Sequence, residues 1–300
     1  MRWYDDSALV GRLPLRYRLY ALYSRAAGSA ESRRVRGGSF LLRALRGASN
    51  LAHLPTVAPI HGIDDLVVLA DFGDERILDV IHEIRGENPE YEMMKQVLAA
   101  GDTFIDVGAN FGTFSLLASR LVGSSGRVIA IEPQSRLAEM LGRSLTMSEV
   151  SNCTVMPVAC GSQTGTMNLL VPRHDSGRAG FFSGFSGRAR HDRSDVSVMP
   201  LDDLLHSIGG SHRVLLKIDV EGSEFDVLEG ARRVIASTRP AVMIELNPWS
   251  AAEAGKRPGD LLDFLTGLGY RSFTTSQSFP ATVAVSQIDL SKQTNILALM

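Results

Sequence analysis

From Thr103 onward, short apolar runs alternate with longer stretches in which apolar residues recur every three or four positions. Runs of the first kind predict buried strands and stretches of the second predict helices. The order read this way is strand 104–108, helix 112–122, strand 127–132, helix 134–147 and strand 153–159. After an interruption come helix 201–206, strand 214–219, helix 223–236, strand 241–246, helix 259–267, strand 270–275 and a last strand 294–299. Strand and helix in such regular alternation predict a doubly wound α/β sheet of seven strands with a late C-terminal hairpin. Upstream, Ile63 to Ile84 alternates like a strand pair around Asp64-Asp65 and Gly73-Asp74, so 61–85 reads as a β-rich entry. Glu90 to Ala100 has helical spacing, and no internal repeat is present.

The interruption begins with Thr166-Met-Asn-Leu-Leu-Val171, ends with Val196-Ser-Val-Met199 and carries between them a stretch rich in Gly, Ser, Arg and His. A loop of that length in a compact domain is usually functional, so 172–196 reads as a lid, with Phe181, Phe182 and Phe185 as its apolar contacts.

Composition changes the picture mainly at the N-terminus. The chain has 300 residues, 44% hydrophobic and 21% charged, which is ordinary for a protein with a full core. Its net charge is −2, but residues 1 to 50 hold ten Arg against three acids. A basic, mainly helical extension, 1–60, therefore precedes an acidic domain, 61–300. Segments such as Leu13 to Tyr23 fit a helix, and the extension reads as a solvated helix or an arm for a homo-oligomer rather than as a membrane or nucleic-acid contact. No apolar run has membrane-spanning length and no secretory signal opens the chain, so a cytoplasmic protein is expected. Cys153 and Cys160 share one predicted strand at an odd spacing and read as reduced core thiols.

Candidate chemistry concentrates in two blocks. In the first, Thr103-Phe-Ile-Asp-Val-Gly-Ala-Asn-Phe-Gly-Thr-Phe-Ser115, a strand ends at Asp106, turns at Gly108 and opens a helix after Gly112. Such a turn docks nucleotide-like cofactors, because glycine lets backbone approach the ligand. Glu132 ends the next strand, 24 residues after Gly108, where an acid can accept both hydroxyls of a ribose. A dinucleotide site needs G-x-G-x-x-G around its pyrophosphate, whereas here Asn110 replaces the middle glycine and Asp106 and Glu132 add negative charge. That setting suits a sulfonium ligand, S-adenosylmethionine, better than NAD.

The second block is Val214-Leu-Leu-Lys-Ile-Asp-Val-Glu-Gly-Ser-Glu224. A lysine inside a central strand needs a partner or a task. Alternation puts Lys217 and Asp219 on one face near the strand's carboxyl end, with Glu221 beyond, and Ala241 to Pro248 brings Glu245 and Asn247 to the same rim. Asp219 is the candidate base or acceptor-positioning group, Lys217 tunes its charge and Glu245 supports the acceptor. A less favoured variant has Asp219, Glu245 and Asn247 hold a divalent cation. Ser223, Glu221 and Glu224 also fit the simpler task of starting the next helix. The seven histidines show no metal-ligand spacing.

These blocks, with Ile131-Glu-Pro133, Met199-Pro-Leu-Asp-Asp-Leu204, Leu228-Glu-Gly-Ala231 and Ile244-Glu245, resemble the FkbM-type methyltransferases over residues 85 to 300. The resemblance implies a class I, Rossmann-like methyltransferase fold, S-adenosylmethionine as donor and a hydroxyl of a small molecule (a sugar, polyketide or other specialised metabolite) as acceptor. Family members often carry an acid after the third strand, where this chain has Cys160-Gly-Ser162. Ser162 is therefore assigned to the cofactor side with Asp106, Gly108, Asn110, Gly112 and Glu132. Two other functions stand as alternatives. Asn247-Pro-Trp249 is similar to the motif of nucleic-acid N-methyltransferases, and the chain could also be a non-catalytic cofactor-binding scaffold.

Overall fold

The computed structural model describes residues 57–172, 175–181, 191–205 and 213–300. Residues 1–56 of the expected extension lie outside that set, as do His174, Phe182 and Phe185 of the expected lid. The described chain opens with a hairpin, β1 (Val57–His61) and β2 (Val67–Asp71), paired antiparallel and turned at Asp64 and Asp65, both at positive φ.

The strand expected after it is instead helix α1 (Ile77–Ile84). Ile77, Val80, Ile81 and Ile84 are all buried, and their spacing puts them on one helical face; the alternation read from sequence was a helical period in a short window. Helix α2 (Pro89–Val97) starts at Asn88, whose side chain accepts the Tyr91 N–H at 2.7 Å. There follow β3 (Thr103–Val107), α3 (Thr113–Val122), β4 (Arg127–Ile131) and α4 (Ser135–Met147), each within two residues of its expected bounds.

The strand expected over 153–159 is divided into β5 (Cys153–Met156) and β6 (Ala159–Cys160). Pro157 between them has no N–H to give a ladder, and the two pieces belong to different sheets. The cysteines thus sit on two strands, both as free thiols that burial pushes up to about 12. Next come β7 (Gly165–Pro172) and β8 (His191–Met199), paired antiparallel over their whole length. Part of the expected lid, 191–196, is therefore regular strand.

Helix α5 (Leu201–Leu204) leads to β9 (Val214–Ile218), and the single helix expected over 223–236 is two, α6 (Glu224–Glu229) and α7 (Arg232–Thr238). Asp202 causes the break from outside. Its N–H takes the Gly230 carbonyl at 2.9 Å, and its carboxylate accepts the N–H groups of Arg233 and Val234 at 2.9 and 2.8 Å, capping α7. After β10 (Ala241–Leu246) comes a helix not expected from sequence, α8 (Pro248–Glu253), followed by α9 (Pro258–Gly267), β11 (Ser272–Thr275) and β12 (Thr294–Leu299).

The main sheet has seven strands in the order β11-β12-β10-β9-β3-β4-β5. Strands β10, β9, β3, β4 and β5 pair in parallel and β12 runs antiparallel to both its neighbours. Alternation in β3 and β9 sorts the two cores. Phe104 and Leu215 pack with α2 and α3, while Ile105, Leu216 and Ile218 pack with α6, α7 and α9. Each of these side chains is fully buried and stabilises the fold by roughly 1.5–3 kcal/mol. Helices on both faces leave the carboxyl ends of the parallel strands as the open edge, and the order places β3 between β4 on one side and β9 on the other. No helix among the described residues is long and apolar enough to cross a membrane.

Candidate active site

A crevice runs along the carboxyl ends of β4, β3 and β9. On the β4 side it is lined by Glu132, Pro133, Gln134, Val158, Ala159 and Cys160, at its centre by Gly108 and Asn110, and on the β9 side by Asp219, Val220 and Glu221.

The turn after β3 holds the centre together. Gly108 has φ +83°, and a Cβ there would lie 1.9 Å from the Asp219 carbonyl oxygen, so only glycine lets β3 and the end of β9 meet. Asn110 has φ +52°, a left-handed conformation that Asn tolerates better than most residues. Its N–H donates to Glu132 Oε2 at 2.7 Å, while Glu132 Oε1 accepts the Gln134 N–H at 2.8 Å. Burial nevertheless raises the Glu132 carboxyl to about 7, these main-chain bonds opposing it. A carboxylate has about four acceptor positions, so these two main-chain bonds do not saturate Glu132.

On the β9 side the charges are carried by side chains. Lys217 is buried against the Phe114 ring, with Nζ 3.5 Å from Asp106 and 3.3 Å from Asp219. Burial alone would lower its pKa; Asp219 and Asp106 outweigh that, and the group stays an ammonium. Asp106, which also accepts a bond from Ser115 at 2.6 Å, is raised, chiefly by burial. Asp219 is held below the usual carboxylate range, since Lys217 and then Arg76 overcome its burial.

Beyond Asp219 stand two acids that hold protons far more tightly. Burial, with Glu245 and Asp219 adding to it, raises Glu221 to about 9. Burial and Asp219 raise Glu245 to about 8. One carboxylate oxygen from each of Asp219, Glu221 and Glu245 falls within 4.8 Å of the others. Gln293 donates to Glu245 Oε1, and the Asn247 amide donates to Glu245 at 3.4 Å and Glu221 at 3.5 Å. Glu221 is aimed by a left-handed backbone, φ +51°, a conformation that costs roughly 1–2 kcal/mol in a residue of this type.

Of the residues singled out from sequence, Gly108, Asn110, Glu132 and Asp219 line the crevice. Asp106, Lys217 and Glu245 are buried behind it. Gly112 does not reach the crevice; it lets Leu141 of α4 pack against the start of α3, where a Cβ would meet Leu141 at 2.1 Å. Ser162 is exposed outside the crevice, and Cys160 lines the wall instead. Asn247 Oδ1 is occupied in capping α8, accepting the N–H groups of Trp249 and Ser250 at 3.1 and 3.3 Å. Glu224 likewise serves the turn before α6, accepting the Gly222 N–H at 3.0 Å.

Two residues of the site had no signal in the sequence, and a third, Phe181, is legible there only as an apolar contact of the expected lid. Ser176 is buried and stitched to the turn: its N–H donates to Asp74 at 3.0 Å, its carbonyl accepts from Gln134 at 3.1 Å and its hydroxyl accepts from Asn110 at 3.4 Å. Phe181 lines the crevice wall and packs against the small β6-β8-β7 sheet. Arg76, at the start of α1, is the other residue without a signal, and the only lysine or arginine among the described lining residues.

Known proteins resemble this chain. The chain is 28% identical over 163 residues to methyltransferase sdnD of Sordaria araneosa, an alignment spanning 44% of this chain and 61% of that protein. It is 26% identical over 191 residues to the hexuronic acid methyltransferase AglP of Haloferax volcanii, spanning 62% of this chain and 70% of that one. Among solved structures, methyltransferase FkbM of Methylobacillus flagellatus KT superposes with a TM-score of 0.42 at 19% identity, over 77% of this chain and 56% of that one. The chain thus spans less than two thirds of the length of sdnD and of the solved FkbM protein. Residues 106–272, more than half of the chain, match the Methyltransferase FkbM domain, and the chain belongs to that methyltransferase family.

Proposed function

We propose that this protein is an S-adenosylmethionine-dependent O-methyltransferase acting on a hydroxyl group of a small molecule. One observation carries the proposal: a crevice with Glu132 at one end, its remaining acceptor capacity suited to a ribose diol, and Asp219 and Glu221 at the other, with Glu245 converging on them from behind. S-adenosylmethionine, when bound, supplies an electrophilic methyl carbon, whose bond to sulfur breaks with the electron pair left on sulfur as the acceptor oxygen attacks.

The chain's residues divide that work. Glu132 and the Gly108 turn hold the nucleoside end beside β4. Asp219, kept ionised by Lys217 and Arg76, places a negative charge at the β9 end, where a sulfonium is attracted. Held low, Asp219 is a weak base. Glu245 and Glu221 are closer to the proton affinity that general-base catalysis needs, so this pair accepts the hydroxyl proton and Asp219 positions the reactants. Asn247, occupied by the α8 cap and by both glutamates, is not free to grip a nucleic-acid base. AglP acts, by its name, on a hexuronic acid, which supports a hydroxylated carbohydrate as acceptor.

The test is incubation with methyl-labelled S-adenosylmethionine and a panel of hydroxylated acceptors that includes hexuronic acids, with RNA and DNA as controls. A labelled methyl ether on a small molecule is expected. Label transferred only to nucleic acid, or cofactor bound with no acceptor methylated in any extract, would overturn the reading.

A further inference from the structure

Arg76 lies outside the residues that match the family and outside every motif read from the sequence, yet it lines the crevice. Its position is fixed from three sides. Its own N–H donates to Asp74 at 2.9 Å, its Nη2 donates to Glu83 Oε1 at 2.5 Å, and its stem packs on Gly177, where a Cβ would stand 2.2 Å from Arg76 Cδ. Glu83 is itself anchored, accepting a bond from Thr113 at the start of α3. With one arm of the fork on Glu83, the Arg76 side chain still keeps 24% of its surface open, although Nε itself is closed off and has no hydrogen-bond partner among the described residues. The open part of the fork stands at the crevice wall, where a ligand acceptor can reach it.

The ligand group follows from shape and place. A guanidinium's planar fork matches a carboxylate. Among the described lining residues the crevice otherwise presents acids at both ends, so its single cation there is the feature that would hold an anion. The place is set by the strand order. Glu132 fixes the ribose beside β4, and Arg76 stands at the opposite, β9 end, near enough to Asp219 to help hold it ionised.

We propose that Arg76 is the crevice's carboxylate receptor and binds the α-carboxylate at the amino-acid end of the methyl donor. This rests on the donor reading above, and a carboxylate on the acceptor is the other source of the same chemistry. Arg76 acts as a positioning residue: by gripping the far end of the donor it fixes where the sulfonium lies relative to Asp219.

Titration calorimetry with S-adenosylhomocysteine and its decarboxylated analogue separates these readings. Arg76→Met should weaken S-adenosylhomocysteine by ~10- to 100-fold, the value of a charge-assisted hydrogen bond, and change the decarboxylated analogue by no more than about twofold. Arg76→Lys, which keeps the cation, should retain part of the wild-type discrimination between the two ligands. Equal weakening of both ligands, or of neither, would overturn the assignment. Glucuronate and glucose titrated into protein saturated with S-adenosylhomocysteine form the second arm; a glucuronate preference lost in Arg76→Met, with donor affinity intact, assigns the residue to the acceptor and overturns the donor form. Should Arg76→Met not fold, Arg76→Lys and the wild-type ratio decide, and a ratio near one overturns the proposal. Wild type that binds neither adenosyl ligand defeats the donor reading itself, an outcome distinct from binding both equally.

Discussion

The two ends of the crevice use the same residue type in opposite ways. Glu132 and Glu245 are both buried carboxylates near the carboxyl ends of neighbouring parts of one sheet. Glu132 is held by main-chain N–H groups of a turn, which bring no second titrating group. Glu245 is held by side-chain amides and crowded by Glu221 and Asp219. A group fixed by backbone binds without depending on its neighbours' protons, whereas crowded acids exchange protons with one another. In the proposed function the β4 end holds the donor and the β9–β10 end moves a proton.

The most damaging test removes the junction between the two ends. Gly108→Ala would force a Cβ onto the Asp219 carbonyl at a positive φ, so a stability loss of about 3 kcal/mol or more and loss of donor binding are expected in thermal melts and calorimetry. Next, Glu245→Gln should slow turnover of a methylated acceptor by ~100- to 10,000-fold, the worth of a general base, while leaving S-adenosylhomocysteine affinity within about twofold.

The pH profile sharpens the same contrast. A raised carboxyl is protonated at neutral pH and becomes a base as pH rises, so turnover should climb through about 8, the Glu245 value, and Glu245→Gln should flatten that climb. Stability should run the other way. Glu132, Glu221, Glu224 and Glu245 all hold protons more tightly folded than their ordinary value of 4.5, so their contribution is full below that pH and is lost as pH rises through about 7 to 9. The melting temperature of the ligand-free protein should therefore fall across that window. The smallest effect expected is for Ser176→Ala, which loses the hydroxyl's 3.4 Å bond from Asn110 and its bond to Asp74: about 0.5–1.5 kcal/mol of stability and a few-fold in donor affinity.

The sequence revealed what local pattern encodes. Strands β3, β4, β9 and β10 were legible because each is a short apolar run bounded by a turn, and Asp106, Glu132, Lys217, Asp219 and Glu245 because charge interrupts or ends those runs. The errors share a different cause. Ile77–Ile84 is too short for its period to declare itself, and the split between α6 and α7 is imposed by Asp202 from a distant segment. Arg76 and Ser176 enter the site through tertiary contacts, with Asp74 bonded to the backbone N–H of both. No spacing along the chain announces such a contact. The left-handed Glu221 is of the same kind, since strain held by surroundings has no local signature.

Titration calorimetry of S-adenosylhomocysteine into wild type, Glu132→Ala and Glu245→Gln tests the division of labour most directly. The account predicts micromolar binding by wild type and Glu245→Gln and loss of binding in a folded Glu132→Ala. Absence of binding by wild type, or equal loss in both variants, would contradict it.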